Sequence, residues 1–320
     1  MNCILAGEMS RAIILCPLYN DEDSFSVFAA AVEKEVASIP NYEFSFLIVN
    51  DGSDDLKLST RLPLTVLHLH RNIGHQKAIA IGLAYAQQNM SFDTIIVMDG
   101  DGEDRPEDIA ALLGNRNSST QIVVARRASR QEGRSFRLFY HCYKWMFLLL
   151  TGKRIAFGNF MSIPRKYADK LVHYSEIWNH LAGAVIKSKF PYTAIDSHRG
   201  KRYAGNSRMN FTSLLLHGLG AIGVFIEIIA SRLMVFSFLM IIVALAAILV
   251  IVYLKLFTTR AIPGWATTAV SSMLIVILQS FLLSLFTIFL YLSAQGQRKF
   301  IPAIHYQDYL RSVETIPHEL

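Results

Sequence analysis

Cysteine is scarce in this chain, three in 320 residues. Cys3, Cys16 and Cys142 are scattered and have no metal-ligand spacing, which excludes a cysteine-held metal centre and leaves reduced structural thiols as the simplest reading. Internal repeats and low-complexity linkers are missing as well, so repeat arrays and linker-rich chains drop out. Acidic residues are outnumbered, 25 Asp and Glu against 31 Lys and Arg, giving a formal charge of +6. That balance suits a phosphate-bearing substrate or an anionic lipid surface. Nucleic acid would suit it too, but no nucleic-acid motif is present. The first residues do not form a secretory signal, since Glu8 and Arg11 interrupt them and residues 12–16 read as a strand.

What is abundant is apolar surface, 52% of all residues, and the excess is localised. Residues 233–254 form an apolar run, interrupted only by Ser237, long enough to cross a bilayer as a helix. Residues 266–292 form a second, broken only by small polar residues and Gln279. A buried helical hairpin is the alternative; the lengths favour two spans. Arg298 and Lys299 follow the second run and place it positive-inside, although Lys255 and Arg260 in the connecting loop blunt the asymmetry. Four segments result. Residues 1–210 are expected as a cytoplasmic catalytic domain and 211–232 as interfacial amphipathic helices. Residues 233–292 are expected as a two-helix transmembrane hairpin and 293–320 as a cytoplasmic tail. The implied location is a membrane, the bacterial inner membrane.

The first segment alternates apolar strands with helical patterns, the mark of an α/β protein with parallel strands. Strands are expected at residues 12–16, 44–49, 65–67, 94–98 and 121–125. Helices are expected at 22–37, 76–88 and 107–113, the last opened by Pro106. A basic segment at 126–137 and an aromatic-rich helix to about residue 150 follow.

The most informative stretch is Asp99-Gly100-Asp101-Gly102-Glu103-Asp104, which follows the apolar residues 95–98. Carboxylates where a buried strand runs out lie at the crevice in which open α/β sheets bind ligands. Their oxygens suit a hard divalent ion, and Mg²⁺ typically takes one or two carboxylates plus substrate phosphate. An acidic surface turn is the alternative. Three further loops decide between them: Pro17-Leu18-Tyr19-Asn20-Asp21-Glu22, Asn50-Asp51-Gly52-Ser53 and Arg71-Asn72-Ile73-Gly74-His75 each follow one of the preceding strands.

In this order the four loops resemble the family 2 glycosyltransferases of the GT-A (Rossmann-like) fold. More narrowly they resemble the polyisoprenyl-phosphate group, similar to dolichyl-phosphate mannose synthase and GtrB. The resemblance implies a nucleotide-sugar donor, a polyprenyl phosphate acceptor, a Mg²⁺ or Mn²⁺ cofactor, inversion at the sugar and a homo-oligomer in the membrane. By similarity Pro17, Tyr19 and Glu22 line the base and ribose, and Asp51 accepts from the base. Arg71 and Gly74 join the donor site. Asp99, Asp101 and Glu103 hold the metal. A carboxylate only accepts hydrogen bonds, so Asp51 suits the imide N–H of uracil; a plain Asx-type turn is the other reading of Asn50 to Ser53.

On the acceptor side, Arg127 and Arg130, with Ser135 and Arg137, match the family's Arg-x-x-Arg stretch, and an arginine fork suits phosphate oxygens. A solvated basic loop is the alternative. Arg202 and Arg208, in a segment resembling the family's Arg-x-x-Gly-x-Ser-Lys, are expected at the diphosphate or lipid headgroup, or in structural pairs. One departure stands out. Many relatives carry Asp beside the sugar where this chain has Asn159, and Arg where it has Met161. Asn159 cannot act as a base. A lipid phosphate needs none, because its second pKa of about 6 leaves it largely dianionic. A hydroxyl acceptor would need Glu103 or Asp104, and a non-catalytic module is the reading from a different class.

Overall fold

In β1 (Ser10–Leu18) successive side chains point to opposite faces, and both faces are buried. Ile13 and Leu15 pack with Leu47, Val49, Ile95 and Val97 beneath α2 (His75–Asn89). Ala12, Ile14 and Cys16 pack the other way, with Phe25, Phe28 and Phe46, beneath α1 (Glu22–Val36) and α3 (Asp108–Gly114). Burial on both faces explains why these strands read as continuous apolar runs rather than alternating ones. This computed structural model describes residues 9–54, 56–115, 118–127, 134–204, 218–258, 264–296 and 299–316.

The chain divides into two units, residues 1–144, 154–224 and 300–320 in the first, 145–153 and 225–299 in the second. In the first, β1 pairs in parallel with β2 (Tyr42–Asn50) and β4 (Thr94–Val97), and β2 with β3 (Leu64–Leu69). Further along the chain lie β5 (Ile122–Arg127), α4 (Arg134–Thr151), β6 (Met161–Pro164), α5 (Arg165–Leu171), α6 (Leu181–Ser188), β7 (Tyr192–Ser197) and β8 (Leu310–Ile316). Among the described residues the order is β7-β5-β6-β4-β1-β2-β3-β8.

The sheet departs from the expected parallel arrangement at two strands. β6 inserts antiparallel between β4 and β5, and β8 lies antiparallel against β3. Neither carried a pattern. Four wholly buried residues ending in proline have no readable period, and β8 is an edge strand exposed at nearly every position. The returning chain also docks through Ala303, whose N–H donates to Val172 O at 3.0 Å and whose carbonyl accepts from Gln88 at 2.6 Å. Residues 300–316, expected as a tail, thus belong to the sheet-bearing unit.

In the second unit α7 (Ile226–Phe257) and α8 (Trp265–Gly296) pack against each other. Both are long and apolar enough to cross a membrane. At 1.5 Å per residue each would span about 48 Å, more than a hydrocarbon core of about 30 Å. Residues 226–232, read as the end of an interfacial segment, are the first turns of α7; residues 218–225 are described and largely helical, and 211–217 lie outside the described residues.

Phe28 is fully buried against Phe25 and Phe46 and seats α1, which carries the first site loop. Phe28→Ala is expected to cost about 3–5 kcal/mol and to lower the melting temperature of the detergent-solubilised chain. An unchanged melting curve would mean that α1 is not held by this cluster.

Candidate active site

Because β1 to β4 run in parallel, the loops at their carboxyl ends lie side by side. They are tied to one another before any ligand is considered. Asp51 N–H donates to Leu18 O at 2.8 Å, and Asn20 N–H donates to Ser53 Oγ at 2.7 Å. Asn50 closes an Asx-type turn, its Oδ1 accepting from Ser53 N–H at 2.7 Å. Asp51 reaches across to the third loop: Oδ1 accepts from Ile73 N–H at 2.7 Å and Oδ2 from Gly74 N–H at 2.9 Å. Burial raises the Asp51 pKa above the ordinary carboxylate value, while those two N–H groups, His75 and Lys77 restrain the rise. Gly52 has a φ of +87°, and a Cβ there would lie 2.5 Å from Asn72 N, so the second and third loops meet where only glycine fits.

The acidic loop is braced from within. Asp104, 5% exposed, accepts Asp99 N–H through Oδ2 at 3.0 Å, and Asp101 Oδ1 accepts Glu103 N–H at 2.9 Å. Cations meet its outward carboxylates. His75 Nε2 lies 3.2 Å from Asp99 Oδ1, and Arg202 Nη1 lies 2.9 Å from Asp101 Oδ2. Arg199 reaches both oxygens of Glu103 at 2.5 Å. The segment carrying these arginines is pinned through its backbone, Gly200 N–H to Glu103 O at 2.9 Å and Tyr203 N–H to Asp101 O at 3.0 Å. Gly102, at φ +89°, lets the Tyr203 ring lie on the loop, since a Cβ would meet Cδ2 of that ring at 2.5 Å.

Crowded charge shifts two groups. Burial lifts the Asp101 pKa to about 6, with the charges of Asp99 and Glu103 adding to the rise and Arg202 opposing it. For His75, burial opposes the imidazolium, but Asp99, by charge and hydrogen bond, then Asp104 and Asp101, outweigh it and raise its pKa. Asn159 Nδ2 approaches the same His75 nitrogen at 3.1 Å. One nitrogen cannot donate to Asp99 and accept from Asn159 at once, so a proton on Nε2 requires the amide to present its oxygen. In the present orientation that oxygen is buried without a hydrogen-bond partner among the described residues.

Asp51, Gly74, Asp99, Asp101, Glu103, Asn159 and Arg202 therefore come together by direct contact or through shared partners. Pro17 is buried in β1, Tyr19 is 42% exposed on the neighbouring loop, and Glu22 opens α1. Arg71 is exposed and lines a cavity of about 310 Å³ with Phe300, His305 and Tyr309 from the returning chain. Met161, the expected departure from the family pattern, is fully buried in the core. Arg127 ends β5, while its side chain, those of Ser135 and Arg137, and all of Arg130 and Arg208 lie outside the described residues. Cys16 is a buried free thiol whose pKa is raised by burial and then by the acidic loop, as a structural cysteine should be.

Asp21, His75 and Arg199 were not singled out from sequence. His75 ended a quoted loop and opens α2, a position that aims it at the strand ends. Asp21 likewise lay inside a quoted loop, but Arg199 gave no such signal, and each acts through a partner nearly a hundred or more residues away.

The model described as glycosyl transferase family 2 matches residues 13–173, half of the chain. The uncharacterized glycosyltransferase YkcC of Bacillus subtilis (strain 168) is 28% identical over 286 residues, 83% of this chain and 85% of the relative. The prophage bactoprenol glucosyl transferase homolog of Escherichia coli (strain K12) is 25% identical, covering 66% of this chain and 72% of its own. An undecaprenyl-phosphate 4-deoxy-4-formamido-L-arabinose transferase of Photorhabdus laumondii is 23% identical, over 65% of this chain and 66% of its own. The chain belongs to glycosyl transferase family 2. It is a glycosyltransferase whose mixed sheet, with carboxylates gathered at the strand ends, is the GT-A architecture.

Gly52→Ala is expected to destabilise the protein by about 1–3 kcal/mol, because the two loops must separate. A melting curve checks this; a wild-type value would show that the loops do not need that approach.

Proposed function

We propose that this glycosyltransferase moves a sugar from a nucleotide diphosphate, a UDP-sugar, to the phosphate of a polyprenyl lipid such as undecaprenyl phosphate. The observation that carries the reading is the acidic loop, with Asp99 and Asp101 at the strand ends and His75 and Arg202 as their present partners. Asp101, crowded by burial and by Asp99, is a hard oxygen donor that favours a neighbouring positive charge. Among the described residues no three His, Cys, Asp or Glu side chains form a ready metal cluster. Asp99 and Asp101 would hold Mg²⁺ or Mn²⁺, with substrate phosphate and water completing the ligand set. When bound, the ion would neutralise charge on the departing diphosphate.

Asp51 keeps a second lone pair on each oxygen beyond its bonds to Ile73 and Gly74, enough to accept the uracil imide N–H. The acceptor reading rests on where the candidate bases are. Glu103 holds Arg199 through both oxygens and Asp104 is buried on Asp99 N–H, so neither is placed to deprotonate an alcohol. A phosphate dianion needs no base. Its oxygen would form the bond to the anomeric carbon opposite the diphosphate as the carbon–diphosphate bond breaks, inverting that centre. The names of the relatives, bactoprenol and undecaprenyl-phosphate transferases, support the lipid class. In this reading α7 and α8 anchor the enzyme, Arg127 and Arg130 meet the lipid phosphate, and the catalytic unit faces the cytoplasm.

The test is nucleoside diphosphate release by the purified chain in detergent with Mn²⁺, undecaprenyl phosphate and a panel of UDP- and GDP-sugars. Lipid-dependent release from one UDP-sugar is expected, with Asp101→Asn losing about 100-fold or more in kcat. Equal release without lipid, or full activity in Asp101→Asn, would contradict the reading.

A further inference from the structure

The guanidinium of Arg202 spans two carboxylates that come from distant loops. Nη2 pairs with Asp21 Oδ2, Nη1 lies 2.9 Å from Asp101 Oδ2, and Nε donates to Ala204 O at 2.9 Å. All three side chains are shielded, with exposures of 19% for Arg202, 22% for Asp21 and 17% for Asp101. Ser24 ties both ends of the bridge to α1, donating to Asp21 Oδ1 at 2.7 Å and approaching Ala204 O at 3.2 Å. Only a planar fork of donors holds two carboxylates in this way; a lysine ammonium is a point charge on a flexible stem. The two anchors differ. Asp101 belongs to the acidic loop that the proposed function gives to a metal–diphosphate, whereas Asp21 does not.

We propose that Asp21 is a positioning residue for Arg202. Resting on the donor reading above, Asp101 would release Nη1 on holding a divalent ion. Arg202 remains on Asp21 and offers the freed N–H groups to the diphosphate oxygens. The same guanidinium thus neutralises Asp101 in the empty site and clamps the donor in the filled one.

A double-mutant cycle on UDP affinity in saturating Mn²⁺, measured by calorimetry on the full chain in detergent, tests this without turnover. Arg202→Ala is expected to weaken UDP about tenfold or more, the scale of one lost charge-assisted hydrogen bond. Asp21→Asn should weaken it by several-fold, and the double variant no further than Arg202→Ala, because Asp21 acts through Arg202. Additive losses would mean that Asp21 contacts the nucleotide itself and would overturn the proposal while leaving the donor reading standing. Wild-type protein that binds no UDP with Mn²⁺ would remove the donor reading and this inference together. Should Asp21→Asn fail to melt cooperatively, Arg202→Lys substitutes: charge kept and fork lost, it should still lose several-fold, and wild-type affinity there would overturn the assignment.

Discussion

Negative charge gathered at the ends of parallel strands must be neutralised, and the site is organised around that requirement. Two like charges 4 Å apart repel by about 4 kcal/mol at an effective dielectric of about 20, a large share of a domain's net stability. Asp99, Asp101 and Glu103 each have a cation within reach, His75, Arg202 and Arg199 respectively. Two of those cations come from one short segment, which is fastened to the acidic loop by backbone hydrogen bonds. Burial, and then the charge of Asp99, raise the Asp101 pKa against the opposing charge of Arg202. In the proposed function a metal-bound diphosphate would add further positive charge there.

The fold makes the crowding possible. Strands buried on both faces fix where each one ends, and Asp51 links the second loop to the third with both oxygens. The loops therefore hold their geometry through backbone groups, leaving side chains at the crevice for chemistry. The antiparallel β6 follows Asn159, which lies beside His75, so a strand without a readable pattern in the sequence helps to place one side of the site.

Most of the strands and helices around the site were legible because burial on both faces and helical periodicity leave long patterns. The strand-end loops were legible by their order. What was hidden falls into two kinds. β6 and β8 are too short or too exposed to carry a period, and their place is set by pairing across the chain. Asp21, His75 and Arg199 matter through partners distant in sequence, and a charged residue by itself does not announce such a partner. Glu103, read as a metal ligand, faces Arg199 with both oxygens. Met161, expected to stand where the family carries arginine, is a buried residue of β6.

The central claim is that the acidic loop takes its divalent ion together with the nucleotide. Titration of the wild-type chain with Mn²⁺, followed by the free-ion electron paramagnetic resonance signal, tests it directly, once alone and once with UDP present. The account predicts weak uptake by the protein alone and tight, stoichiometric uptake with UDP, since the diphosphate completes the ligand set. Equal uptake with and without UDP, or UDP binding undiminished by a chelator, would contradict it.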